Sequence, residues 1–221
     1  MIRSHSLRRS AQLARRRLRR ALPAVGVLLA AAVLTGCGGR PVQAGAAAVV
    51  GPDRITESAV QARVAEFRAQ AARLPSGQYQ EQAGLVGATV SGMIFSEVVE
   101  HALAEHRLTV SDTEIAQARA DQAQAWGGEA GLEQMLLLKH AVPAGEIDTF
   151  HREQIGLQKL AALGGQQIGT TEGNKTVHQL LAEAAGELKV TVNPRYGSWD
   201  AQQAVLESPS EEWLPQSGAA A

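Results

Sequence analysis

A single cysteine, Cys37, is the whole thiol content of this 221-residue chain. A lone thiol excludes an intramolecular disulfide and any metal site built on several cysteines. The chain is also short of apolar length near its start. The run from Ala21 to Gly36 holds 16 residues, whereas a membrane-crossing helix needs about 20. Residues 1–36 contain no Asp or Glu at all. Local catalytic signatures are missing too: there is no H-E-x-x-H, G-x-S-x-G, P-loop or dinucleotide fingerprint, so the enzyme classes that announce themselves by such motifs are excluded. No cofactor and no metal is expected.

What is present at the front has a recognisable order. Eight arginines between Arg3 and Arg20 precede the apolar run, and Leu34-Thr35-Gly36-Cys37 follows it. Leu34, Thr35, Gly36 and Cys37 together resemble a bacterial lipobox, in which the cysteine is acylated and becomes the new N-terminus. The resemblance implies a signal peptide over residues 1–36, a lipidated Cys37 and a location on the extracytoplasmic face of the cell membrane. Ser6-Leu7-Arg8-Arg9 leaves open whether export runs by the general or the twin-arginine route.

Charge changes sign after the leader. Residues 37–221 carry 13 basic and 22 acidic side chains, a balance of −9. That argues against nucleic acid and against an anionic lipid surface as partners; the membrane is expected to be reached through the anchor on Cys37. Gly38 to Gly45 is a short Gly, Ala and Pro linker, about 16 Å from end to end as a flexible chain. Residues 201–221 are rich in Gln, Ser, Pro and Glu and are expected to be a disordered tail. Between them, residues 46–200 suffice for one domain.

Helical periodicity dominates that domain. Val60, Val64, Phe67, Ala71 and Leu74 form one apolar stripe, with Thr56 as N-cap and Pro75-Ser76-Gly77 as stop. A second helix is expected from Gln78 to His106. Its Gly84, Gly87 and Gly92 either admit a neighbouring helix or let the helix bend. Ser111-Asp112-Thr113-Glu114 is a capping box with Val110 and Ile115 as its hydrophobic staple, and the helix it opens should run to Trp126. A short helix around Leu132–Leu137, a fifth entered at Pro143 and a sixth from Val177 to Leu188 complete the set. Leu188-Lys189-Val190-Thr191-Val192 alternates as a strand, and Ala46–Val50 is a short apolar run; each needs a partner, so the two should pair. The expected fold is all-α, with a small two-stranded β clip joining the start and end of the body.

This order of elements resembles the N-terminal domain of SurA-type proteins, of the actinobacterial lipoprotein kind. The resemblance is carried by Asp53-Arg54-Ile55-Thr56-Glu57-Ser58 entering a helix, by Val110-Ser111-Asp112-Thr113-Glu114-Ile115, and by the closing Asn193-Pro194-Arg195-Tyr196-Gly197-Ser198-Trp199-Asp200. It implies an extracytoplasmic chaperone scaffold whose partners are unfolded or exported polypeptides. Many members carry a parvulin isomerase domain as an insert. Here only residues 164–171 separate Leu163 from Glu172, too few for an ordinary domain of about 100 residues. No enzymatic activity is therefore expected. The alternative is a structural or adaptor lipoprotein with one specific envelope partner.

Met93, Phe95, Met135 and Phe150 are the candidate client-binding residues. Core is the default for such side chains, and the width of the apolar faces on the second and fifth helices keeps the groove reading open. His101 and Glu105 share a helical face while His106 points elsewhere, so no metal set forms from them. His140 and His151, near predicted helix ends, read as surface or boundary residues. Trp199 should cover the edge of the core; Trp213-Leu214 in the tail is either a partner anchor or without a role.

Overall fold

The computed structural model describes residues 44–81 and 83–208. Cys37, the lipobox, most of the linker and Trp213-Leu214 lie outside the described residues. Among these residues eleven strands and α-helices follow in order, with single 3-10 turns at Ala144–Glu146 and Pro194–Tyr196: β1 (Ala46–Val50), β2 (Asp53–Thr56), α1 (Glu57–Ala71), α2 (Leu85–Glu105), α3 (Asp112–Ala125), α4 (Glu129–His140), α5 (Ile147–Leu163), α6 (Thr171–Leu188), β3 (Thr191–Val192), β4 (Ser198–Asp200) and β5 (Val205–Glu207). The fold is mostly helical with small antiparallel sheets, as expected.

Local chemistry sets the helix ends. Thr56 Oγ1 accepts from the Ala59 amide at 3.1 Å. Ser111 and Glu114 close the capping box reciprocally, the Ser111 amide donating to Glu114 Oε2 at 2.8 Å and the Glu114 amide to Ser111 Oγ at 3.3 Å. Val110 and Ile115 are both buried beneath it, as a staple requires. Thr170 Oγ1 caps α6 by accepting from the Gly173 amide.

The β clip exists: β1 pairs antiparallel with β3 through Ala48↔Val192 and Val49↔Thr191, and the Asn193 amide donates to Ala47 O at 2.8 Å. The clip has one strand more than expected, however. β1 also pairs with β2 around Gly51-Pro52, so the sheet order is β2-β1-β3. β2 escapes sequence reading because Asp53-Arg54-Ile55-Thr56 has one apolar residue and is four residues long. Leu188 belongs to the end of α6, not to the strand: it is buried, its carbonyl accepts from the Gly51 amide at 2.7 Å, and Lys189 turns the chain at φ 49°.

Three further boundaries differ. α2 begins at Leu85 instead of Gln78, because residues 78–81 are used elsewhere: Tyr79 stands edge-on to Phe67 with centroids 5.3 Å apart, and Glu81 pairs with Arg68 at 2.6 Å. α1 stops at Ala71, short of Pro75. The ordered body runs past Asp200, since β5 pairs with β4 and sets Leu206 opposite Trp199; both pack on the core. Residues 201–207, expected to be tail, are thus held by apolar contact that a polar composition conceals.

The main core joins β1, α1, α2, α5 and α6 through Ala47, Val60, Val90, Ile94, Leu160 and Leu181. Each large side chain fully buried there contributes about 1.5–3 kcal/mol. Two smaller clusters stand beside it. One ties α3, α4 and the start of α5 through Leu132, Leu136 and Ile147. The other ties the end of α1 to α4 through Phe67, Ala71 and Leu137.

Candidate functional site

Where these clusters approach one another without merging, a cavity of about 270 Å³ opens. Four segments build it. Arg63 and Phe67, one turn apart, come from α1. Leu85, Ala88, Thr89, Gly92 and Ser96 form a single stripe down α2. His140 to Pro143 and Glu146 come from the α4–α5 junction, and Thr149, Phe150 and Glu153 from the first turns of α5. The walls are apolar at Phe67, Leu85, Val142 and Phe150, and the α2 floor is made of small residues.

The floor explains the glycines of α2. A Cβ built on Gly87 or Gly92 meets nothing within 4 Å, so no helix packs against either. Gly92 faces the cavity instead and widens it. Gly84 is the N-cap of α2, at φ 93°.

Polar groups converge on the same space. Ser96 Oγ donates to Glu153 Oε1 across α2 and α5. Arg63 pairs with Glu146. Burial pushes the Glu153 carboxyl above the usual carboxylate range, against the Ser96 bond and Arg63, which pull it down. The cavity can take the apolar part of a side chain and has a hydrogen-bonding end beside it.

Of the four candidate client-binding residues, Phe150 alone lines this cavity. Met93 and Phe95 are partly buried against the main core, and Met135 is buried in the cluster under α4. Met135 is thus core, while Met93 and Phe95 keep part of their surface exposed away from the cavity. Phe67, Leu85, Ser96 and Glu153 line it without a local signature of a site. The signal available was the stripe Leu85-Ala88-Gly92-Ser96, in which small residues recur at helical spacing on one face.

The histidines divide. His151 is 4% exposed, not a surface or boundary residue. Its Nε2 has no partner among the described residues, and burial lowers its pKa; the start of α5 leans on α3 and α4 and covers it. His101 joins Glu105 at 3.8 Å and, from α6, Glu187 at 3.3 Å. Among the described residues, this is the trio whose donor atoms all lie within 4.8 Å of one another, close enough to hold a cation. The same atoms bond each other: a hydrogen bond between the two carboxyls raises Glu105 and lowers Glu187. Glu187 lies 82 residues from Glu105 in the chain, which is why spacing alone did not reveal it. A second, more open concavity of about 440 Å³ lies between Arg107 and Arg152. Among the described residues, no helix is long and apolar enough to cross a membrane.

The described body is helical, is clipped by a small sheet and holds a cavity between α1, α2 and α5. The family model described as the SurA-like N-terminal domain matches residues 12–128, and the chain belongs to that family. No parvulin domain is matched. No curated protein and no solved structure matches the chain. The family match takes in the α1 and α2 walls of the cavity and stops before the α4–α5 junction that closes it.

Proposed function

We propose that this protein is a membrane-tethered, extracytoplasmic lipoprotein that binds unfolded or exported polypeptides and has no prolyl isomerase domain. The observation that carries the reading is the cavity between α1, α2 and α5, left unfilled by a floor of Ala88 and Gly92. Membership of a family whose domains bind polypeptides supports it. The cavity is somewhat below the about 300–1,000 Å³ usual for small-molecule sites, a size that suits one or two side chains of a longer chain. Tethering rests on Leu34-Thr35-Gly36-Cys37, and the acidic body keeps the domain off an anionic leaflet.

The test is aggregation of a chemically denatured client, followed by light scattering at equimolar protein. Slowed aggregation, with no acceleration of proline isomerisation in a test peptide, supports the reading; unchanged aggregation overturns it. In-cell crosslinking gives the second arm. Many bound polypeptides support the reading, whereas one specific partner replaces it with an adaptor.

A further inference from the structure

We propose that the cavity holds a subsite for a basic side chain, so that the segments it selects are apolar stretches interrupted by lysine or arginine. This rests on the reading of the cavity as a polypeptide site and adds which polypeptides it prefers. The basis is a carboxylate short of partners. Glu153 stands on the α5 wall, and among the described residues its hydrogen-bond partner is the Ser96 hydroxyl. An ionised carboxylate offers about four acceptor positions, so most of its capacity is open. Glu146, on the rim, is matched by Arg63. One guanidinium, Arg63, thus stands against two carboxylates of the lining, Glu146 and Glu153, and its ion pair is with Glu146.

The walls suit the same occupant. A lysine or arginine buries its methylene stem on apolar surface and keeps its charged head on a polar group. Phe67, Leu85 and Phe150 offer that surface, and Glu153 offers the polar end. A wholly apolar side chain would fill the walls but strip water from Glu153 and give nothing back, which is unfavourable. An acidic one would set carboxylate against carboxylate. The −9 balance of residues 37–221 draws cationic segments toward the domain in the first place.

The experiment measures binding of three short fluorescent peptides to the full chain. They are identical and apolar except for one central residue: lysine, norleucine or glutamate. The wild type should bind the lysine peptide about ten- to a hundredfold more tightly than the norleucine peptide, the scale of a charge-assisted hydrogen bond, and the glutamate peptide most weakly. Glu153→Gln keeps the Ser96 bond but should bring lysine and norleucine to equal affinity without weakening norleucine. Ser96→Ala, which leaves the carboxylate with fewer partners, should keep the preference for lysine. Equal binding of lysine and norleucine by the wild type, or a preference that survives Glu153→Gln, overturns the subsite. If all three peptides bind alike while aggregation is still slowed, the subsite falls and the polypeptide reading stands. If none binds and aggregation is unaffected, both fall.

Discussion

Gly156 of α5 lies against Leu103 of α2 so closely that a Cβ on Gly156 would stand 2.9 Å from Leu103 Cδ1 and 3.3 Å from Val99 Cγ1. This is the close helix approach that the glycines of α2 do not make. Alanine at 156 gains about 1 kcal/mol of helix propensity, but overpacking a tight core costs about 1–3 kcal/mol. Gly156→Ala is therefore expected to lower the melting temperature by a few degrees, read by circular dichroism, and Gly156→Leu to lower it far more. A rise with alanine would show that the two helices separate freely.

Gly92 is the opposite case, with space above it. Gly92→Ala should stabilise the protein by about 0.5–1 kcal/mol, as should Gly87→Ala away from the cavity. Gly92→Leu should occupy the cavity, retain the fold and abolish the slowing of aggregation, while Gly87→Ala leaves that activity intact. Full activity in a folded Gly92→Leu variant would remove the cavity from the binding surface.

Glu114 carries the clearest acid dependence. Lys159, at 2.6 Å, and both the amide and hydroxyl of Ser111 hold its carboxyl down to about 2, from an ordinary 4.5. A folded-state value below the unfolded one adds stability that is complete above about 4.5 and lost as pH falls through about 2. Glu114→Gln keeps the capping box and loses the Lys159 pair. Melting temperatures of wild type and variant should differ at neutral pH and converge as pH falls toward that lower value. A gap that persists there would assign the effect to packing.

His151 should report from a window that opens at higher pH than that of Glu114. Burial favours its neutral ring and lowers its pKa below 6.5, so its contribution is complete above 6.5 and declines as pH drops through the lowered value. Because Nε2 has no partner among the described residues, His151→Phe sacrifices no hydrogen bond at that atom. The variant is expected to match the wild type near neutrality and to unfold later in mildly acidic buffer. Equal acid sensitivity would show that the ring is not a proton trap.

Anchoring has its own test. A clickable palmitate fed to cells should label the wild type, and Cys37→Ala should abolish the label and release the protein from membranes. Label retained after Cys37→Ala would place the lipid elsewhere, and an unlabelled wild type would remove the anchor.

What could be read from residues alone was whatever a single turn of chain decides. Ser111 and Glu114 are three apart and meet in the structure as their spacing requires. Val60, Val64 and Phe67 face inward as their period requires. The cavity depends instead on pairs brought together by tertiary packing: Ser96 and Glu153 are 57 residues apart, Arg63 and Glu146 are 83 apart. Phe150 was legible as a wide-face aromatic, but Met93, Phe95 and Met135 have the same character and lie outside the cavity, Met135 buried and the other two half-buried against the core. Apolar identity marks a surface that wants cover; it does not say whether cover arrives.

The contact between Asn193 and the first strand has a bearing on how the protein is made. Asn193 Nδ2 reaches Ala46 O across 147 residues of chain, and β3, which covers one edge of β1, follows every helix. During synthesis the Ala-Ala-Ala strand is therefore finished first and given its last neighbour at the end, so its edge stays open to other strands for nearly the whole time that the ribosome works on the body.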